Sequence, residues 1–362
     1  MTSTIPAYTS TILVKNSPTG MMNAGVGAPD STFEIVRQPL GELARGEVLV
    51  KNLYISNDPV QRVWIEKDIP EGAVYITPIK AGEPMQCYSV VKVLKSNDPR
   101  YKTGDLVPTM SKWGDNVVLS SMMGSKIIKS LGFSFTDYLD AVGGTGLAAY
   151  FGLFEVAKLK KSDVLVVSGA SGATGSMAIQ IAKKIIGAKK VIGIAGGQAK
   201  CQFVRSLGAD ECVDYKDGDF SNNMQKALGD DECDVFFDGV GGKILDDMML
   251  LIKRHGTIIA CGSVSAYNTT DSAIYNWGCI TMRRLHVHGF VLSDHYNDFF
   301  KATLWMWWYI RRGYIRVDES QTELVDLTET PDAVAQIPVV FNRLFNGQKK
   351  NGKLVTKLSD PV

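Results

Sequence analysis

The residues most able to do chemistry cluster around one glycine-rich junction. Val164-Leu165-Val166-Val167-Ser168 is an apolar, β-branched run. It leads directly into Gly169-Ala170-Ser171-Gly172-Ala173-Thr174-Gly175-Ser176, after which a helical pattern begins. Glycines recur at 169, 172 and 175. Such a turn gathers backbone N–H groups and a helix N-terminus at one point, which suits the pyrophosphate of a dinucleotide. Side chains larger than Gly or Ala would block that approach. A glycine pattern alone says little, and a structural tight turn is the simpler alternative. The position between a strand and a helix, inside a repeating β/α segment, favours the dinucleotide.

The choice of dinucleotide rests on the end of the next strand. Folds that prefer NAD place an Asp or Glu there for the ribose 2′-hydroxyl. Here the strand ends in Gly193-Ile194-Ala195-Gly196-Gly197-Gln198, with no acid. Lys200 follows at once, and Tyr215 lies beyond the following strand in Val213-Asp214-Tyr215-Lys216. The missing carboxylate removes repulsion of a 2′-phosphate, and Lys200 with Tyr215 could bind one. Two hydrogen bonds to a charged group, each about 1.5–3 kcal/mol, would favour NADP(H) by about a hundredfold or more. The bland alternative makes Lys200 a solvated helix residue.

The reaction class turns on what is absent as well as present. A zinc electrophile needs a set of Cys, His or acidic ligands. The four histidines are His255, His286, His288 and His295, and Cys87 is the only cysteine in the first third of the chain. His286 and His288 lie two apart, on one strand face, without a recognisable third ligand, so zinc-free chemistry is expected. The remaining candidate is Tyr267, in Gly262-Ser263-Val264-Ser265-Ala266-Tyr267-Asn268. This segment follows the fourth strand of the β/α region, whose end faces the cofactor crevice in an open sheet. A phenol there can hydrogen-bond an oxygen that gains negative charge. The alternative is a loop tyrosine packed on the surface.

These residues need a scaffold, and the sequence outlines one. The first third reads as short strands, with candidates at 46–56, 90–94, 105–108 and 117–119 separated by Asn-Asp-Pro and Thr-Gly-Asp turns. That pattern suggests an irregular β-rich domain, a small barrel. From about Asp137 strands and helices alternate, which indicates a doubly wound parallel sheet of the α/β class. Helical spacing at 137–158 is interrupted by glycines at 143–146. A last long helix is expected at 297–312, with Trp305, Trp307 and Trp308 as core or dimer-face residues. The tail from about Val317 is mixed, and 353–357 could return as a strand to the first domain.

Composition narrows the partners. The 362 residues carry 39 basic and 38 acidic side chains, a net charge of +1, so no field draws nucleic acid or an anionic membrane. With 45% hydrophobic and 21% charged residues the chain is globular rather than disordered. The six cysteines are dispersed, without the Cys-x-x-Cys spacing of a zinc site or a disulfide framework. Residues 1–20 show no apolar signal core, and the uncharged stretch at 141–154 is too short and glycine-rich to span a bilayer. A soluble, cytoplasmic protein acting on a small molecule is the expectation.

Taken together, the motifs resemble the zinc-free medium-chain dehydrogenase/reductases, in the branch of prostaglandin reductases and alkenal double-bond reductases. The likeness runs over nearly the whole chain. It includes Gly46-Glu47-Val48-Leu49-Val50 leading to Asn57-Asp58-Pro59 and Arg62, and Gly146-Leu147-Ala148-Ala149-Tyr150-Phe151-Gly152-Leu153. The Gly172–Gly175 turn, the spacing of Lys200 and Tyr215, the Phe237–Gly242 run and Cys261–Asn268 complete it.

The resemblance implies a GroES-like catalytic β-barrel built from residues 1–137 and 317–362, with a Rossmann domain over 138–316 between. It implies NADPH as donor of a hydride to the β-carbon of an α,β-unsaturated ketone or aldehyde, with Tyr267 as the catalytic match near nicotinamide and substrate. Gly172, Ala173, Thr174 and Gly175 would hold the pyrophosphate, and Gly196, Lys200 and Tyr215 the adenosine phosphate end. Cys261, Gly262, Ser263, Val264, Ser265, Ala266 and Tyr267, with Phe290, Val291 and Leu292, would line the nicotinamide side. Val60 and Arg62 would border the substrate, and relatives suggest a homodimer. Quinone or allylic alcohol chemistry on the same fold, or cofactor binding without turnover, are the alternative readings. The chain departs from the family pattern at Val60 (usually Tyr), Gly144 (Met), Ala148 (Thr) and Gly239 (Asn), and in Lys350-Asn351-Gly352-Lys353, where the Asn comes one place late.

Overall fold

Alternation of buried and exposed side chains sets the first strands. The computed structural model describes residues 5–361 apart from positions 71, 73, 270 and 271. It divides into two units. The first takes the described chain up to Leu139, Glu323–Lys349 and the residues from Leu354 onward; the second takes Asp140–Thr322 and Lys350–Lys353.

In the first unit, β1 (Tyr8–Val14) and β2 (Phe33–Pro39) pair antiparallel, with Ile12 opposite Ile35. A second, antiparallel sheet holds β3 (Val48–Asn57), β4 (Gln86–Ser96), β5 (Leu106–Lys112) and β6 (Asn116–Leu119). β3 is its axis. β4 runs along one edge of β3, and β6 takes the other edge at Val48–Lys51. Asn52, wholly buried in β3, has its hydrogen-bonding capacity used locally. Its amide donates to the Lys112 and Gly114 carbonyls at 2.9 Å, and its Oδ1 accepts from Ser89 and Ser111 at 2.8 Å. A buried amide satisfied in this way pins the β5–β6 hairpin to β3. Trp113, in that hairpin, packs its ring 5.1 Å from Phe33 and 5.2 Å from Phe341 in the apolar core.

In the second unit, β7 (Val164–Val167), β8 (Lys190–Ala195), β9 (Glu211–Asp214), β10 (Cys233–Asp238), β11 (Ile252–Ala260) and β12 (His286–Gly289) form one sheet. Its order is β12-β11-β10-β7-β8-β9, and every neighbouring pair is parallel. All four residues of β7 are buried, as a strand covered on both faces requires. Strand order reverses between β7 and β10, and in such sheets ligands bind at that switch point, beyond the strands' carboxyl ends. Helices Ala173–Gln180, Gln198–Ser206, Phe220–Leu228 and Gly242–Met249 connect the strands. After β13 (Thr322–Asp326) and the helix Ala333–Asn342, β14 (Lys353–Lys357) returns to pair antiparallel with β3, Leu354 opposite Asn57.

The chain is thus α/β, with a Rossmann-type doubly wound sheet and a β-rich unit of the GroES-like kind. Local differences from the sequence reading have physical causes. The glycines at 143–146 begin a helix rather than break one: Gly143 caps Gly144–Phe151, and a Cβ at Gly146 would collide with the Ala141 carbonyl. The last long helix starts at Phe299, because 292–298 is a tighter coil kinked at His295. The helix at 333–342 was hidden by its internal Pro338. β1 and β2 escaped notice because their polar faces interrupt the apolar run.

Candidate functional site

The turn after β7 is built from backbone. Gly169 adopts φ +56°, which favours glycine, and Gly172 caps the helix that opens with Ala173, Thr174 and Gly175. A Cβ at Gly175 would collide with the Gly169 carbonyl and lie 2.8 Å from Ala170 Cα. The helix therefore starts hard against the strand end, and its first-turn N–H groups lack intrahelical acceptors. These groups and the helix dipole suit a phosphate, and the residues present fit a dinucleotide.

At the end of β8 the structure brings Gly196 and Tyr215 together. A Cβ on Gly196 would sit 2.8 Å from the Tyr215 ring and hydroxyl, so only glycine leaves room for that ring. Tyr215 is 47% exposed, which leaves its outer face open to a ligand. Lys200 lies in the first turn of the helix capped by Gly197. The acid absent from β8 is replaced by Asp214 at the end of β9. Its Oδ1 accepts from Gly197 N at 2.8 Å and Lys216 N at 3.0 Å, which ties both flanks of this corner together.

The other side is assembled from two turns and a loop. Gly241 and Gly242 have φ +69° and +53°, and lie against Ser263 and Ser265. Ser265 donates from N (3.0 Å) and Oγ (2.6 Å) to the Val240 carbonyl, and Val264 N donates to the Gly239 carbonyl at 3.2 Å. These bonds seat the 261–267 loop on the 239–242 turn. Within it Tyr267 folds back over its own loop, and its hydroxyl accepts from Ser263 N at 3.4 Å beside Gly262. Burial raises the Tyr267 phenol above its usual range, against the lowering effect of that hydrogen bond. Burial, with the charge of Asp238, likewise pushes the Cys261 thiol up to about 12, so Cys261 is no nucleophile near neutrality. Ala266 completes the short coil 264–266 that turns the chain into Tyr267.

Phe290, Val291 and Leu292 follow β12. A Cβ on Gly152 would meet the Phe237 ring at 2.5 Å and the Phe290 ring at 3.2 Å. Gly144 faces Leu292, where an added Cβ would make ordinary contact at 3.8 Å. The small residue therefore leaves open space where the family pattern has a longer side chain.

Val60 and Arg62 lie in the first unit. Val60 is half-buried against that unit's apolar core. Arg62 is wholly buried; it donates to the Gly20 carbonyl at 2.8 Å and pairs with Glu66 at 2.6 Å.

Sequence reasoning missed three participants. Asp238, buried at the end of β10, accepts from Ser168, Val240 and Gly241. Ser168 is its partner at the end of β7. The third is Gly352: its N–H donates to the Ser171 carbonyl at 2.8 Å, and it bridges to Gly172 in parallel register. Its φ of +65° and the Gln321 carbonyl pressed against it leave no room for a side chain. The Phe-Asp-Gly-Val-Gly-Gly run and the tail's Asn-Gly were visible signals, but neither carried a chemical role on its face.

Among the described residues no group of three or more His, Cys, Asp or Glu is placed to hold a metal ion. His286 and His288 stack 6.3 Å apart on the exposed edge strand β12. No helix of the described residues is long and apolar enough to cross a membrane.

Comparison with known proteins accords with this geometry. Residues 173–308 match the family model described as zinc-binding dehydrogenase, and 11–127 match that described as N-terminal domain of oxidoreductase. A Saccharomyces cerevisiae protein named uncharacterized membrane protein YML131W is 34% identical over 96% of this chain and 98% of its own length. The NADP(+)-dependent 2-alkenal reductase of Nicotiana tabacum is 32% identical over 86% of this chain and 88% of its own. The crystal structure of CurA from Vibrio vulnificus in complex with NADPH superposes with a TM-score of 0.83 at 29% identity, covering 97% of this chain and 100% of that one.

Proposed function

Because the chain belongs to the zinc-free medium-chain dehydrogenase/reductases, in their alkenal and prostaglandin reductase branch, and is an NADP-dependent oxidoreductase, we propose that it saturates the C=C bond of α,β-unsaturated ketones and aldehydes. When bound, NADPH supplies a hydride to the substrate's β-carbon. The backbone of Gly172–Gly175, at a helix start, would hold the pyrophosphate, and Lys200 and Tyr215, with clearance at Gly196, would hold the 2′-phosphate end. The Cys261–Tyr267 loop and Phe290–Leu292 would flank the nicotinamide.

One observation carries the reading: the Tyr267 hydroxyl already accepts from Ser263 N–H, so its own proton is left to donate. Burial keeps the phenol protonated across neutral pH. Tyr267 would donate a hydrogen bond to the substrate's carbonyl oxygen, where negative charge would develop as the C=C pair is drawn toward it. Water or the cofactor ribose would then supply the α-proton. Arg62, wholly buried, holds the 18–20 segment of its own unit through the Gly20 carbonyl.

The exposed edge of β12, unpaired on its outer side among the described residues, supports a homodimer formed through that strand. Light scattering at twice the chain mass is the expected result.

The activity is tested by NADPH consumption with one enone, its saturated ketone and one quinone, each with product identification. The expected result is consumption with the enone and a saturated C=C bond in the product. Turnover of the quinone or ketone with the enone untouched would assign a different reaction to the same fold.

A further inference from the structure

Three strand-end segments converge on a single residue. Asp238 closes β10 and is 2% exposed. Its Oδ1 accepts from Ser168 Oγ at 2.6 Å and from Val240 N at 3.0 Å, and both oxygens take Gly241 N at 3.1 Å. Its main-chain carbonyl accepts from Cys261 N at 2.8 Å and Gly262 N at 3.2 Å. Ser168, the residue before the phosphate turn, extends the network by accepting from Gly239 N at 2.9 Å. One residue therefore ties the end of β7, the 239–242 turn and the loop that carries Tyr267.

We propose that Asp238 is a positioning residue for the hydride-transfer half of the site: with Ser168 it sets the 239–242 turn, on which the Ser263–Tyr267 loop is seated. The argument rests on the enone-reductase reading for its catalytic consequence, though not for its effect on cofactor binding.

Every hydrogen bond shown to the carboxylate comes from a neutral donor. Burial accordingly raises its pKa, while those same bonds lower it. Such an arrangement is a poor way to gain stability, because a buried charge without a cation costs free energy. It is an effective way to fix backbone. Three consecutive N–H groups, from Gly239 to Gly241, are directed inward at the Ser168–Asp238 pair. A turn with positive φ at two adjacent glycines is otherwise free to re-form. The adenosine half makes no use of this network: Gly196, Asp214 and Tyr215 are held by their own bonds at the ends of β8 and β9.

That separation makes the test specific. Asp238→Asn keeps the side chain's shape but turns an N–H toward Gly241 N–H. Ser168→Ala removes the hydroxyl donor and the acceptor of Gly239 N–H. Two ligands are titrated against each variant: NADPH, and adenosine 2′,5′-bisphosphate, which reports the adenosine half alone. Turnover with an enone is measured beside them.

The expected result for either variant is bisphosphate affinity within about twofold of the parent, with NADPH affinity or kcat lower by about tenfold, the scale of one lost charge-assisted hydrogen bond. If both ligands weaken together, Asp238 is a general structural residue and the proposal is overturned. The same follows if neither affinity nor kcat moves. Should Asp238→Asn fail to fold, Ser168→Ala carries the comparison. Parent protein that binds NADPH but reduces no enone would sink the functional reading, while the ratio of the two affinities would still decide the role of Asp238.

Discussion

The two halves of the proposed cofactor site are made by opposite means. The phosphate turn and the Gly196 corner work by leaving side chains out: clearance at Gly175 and Gly196 lets backbone and a tyrosine ring come close. The nicotinamide-side half works by putting a side chain in, a buried carboxylate around which two turns are wrapped. The difference teaches where each half is fragile. A cradle of glycines fails when volume is added, whereas a hydrogen-bonded loop fails when one partner is withdrawn.

The largest expected effect follows from adding volume. Gly175→Val drives a side chain into the Gly169 carbonyl and Ala170 Cα, both backbone, which cannot swing aside. NADPH affinity, followed by nucleotide fluorescence, is expected to fall by about a hundredfold or more, with a lower Tm, as overpacking against fixed atoms costs about 1–3 kcal/mol beyond the lost contacts. A variant that folds and binds normally would remove the turn from the phosphate site.

The next effect tests the other half by withdrawal. Tyr267→Phe is expected to lower kcat by about 10²–10³, the usual cost of one donor to a developing oxyanion, with NADPH affinity unchanged. Because the phenol's pKa is raised above 10, the parent's kcat should show no loss attributable to Tyr267 until the pH passes that value; it should fall only beyond, as the donor proton is lost. A limb near neutrality that disappears in the Phe variant would contradict the raised pKa. An unchanged kcat would take Tyr267 out of the chemistry.

The smallest effect sharpens the comparison within the first half. Gly196→Ala meets a ring that is 47% exposed and can rotate outward. KM for NADPH is expected to rise about threefold to tenfold, the loss of a single hydrogen bond, with KM for NADH little altered. An equal rise for both would place Tyr215 away from the 2′-phosphate.

This contrast also explains what could be read in advance. The β7 turn was legible because glycine spacing between a strand and a helix has few other uses, and β14 was recognised at 353–357, where it lies. Gly196 and Tyr215, 19 positions apart, meet at the ends of β8 and β9, a contact that only the structure shows. The family resemblance supplied the assignment of the 261–267 loop; the bonds that seat it on the 239–242 turn are visible only in the structure. Asp238 stayed hidden because an acid at a strand end looks the same whether it faces solvent or collects three donors; only the positions of Ser168 and the 239–241 backbone distinguish these. Arg62 likewise carries its charge in sequence but not its burial, and its donors turn to Gly20 and Glu66.

Gly352 has a bearing on the order in which the molecule can be made. The second unit consists of Asp140–Thr322 and Lys350–Lys353, so the segment that bonds to Ser171 and bridges Gly172 comes 180 positions after that glycine. During synthesis from the N-terminus, the parallel sheet can assemble while this last piece is still inside the ribosome. The phosphate turn would then wait, open on one side, for a distant segment whose capture costs loop-closure entropy. A ligand that binds the completed turn more tightly than the open one would, by mass action, favour capture of the late segment.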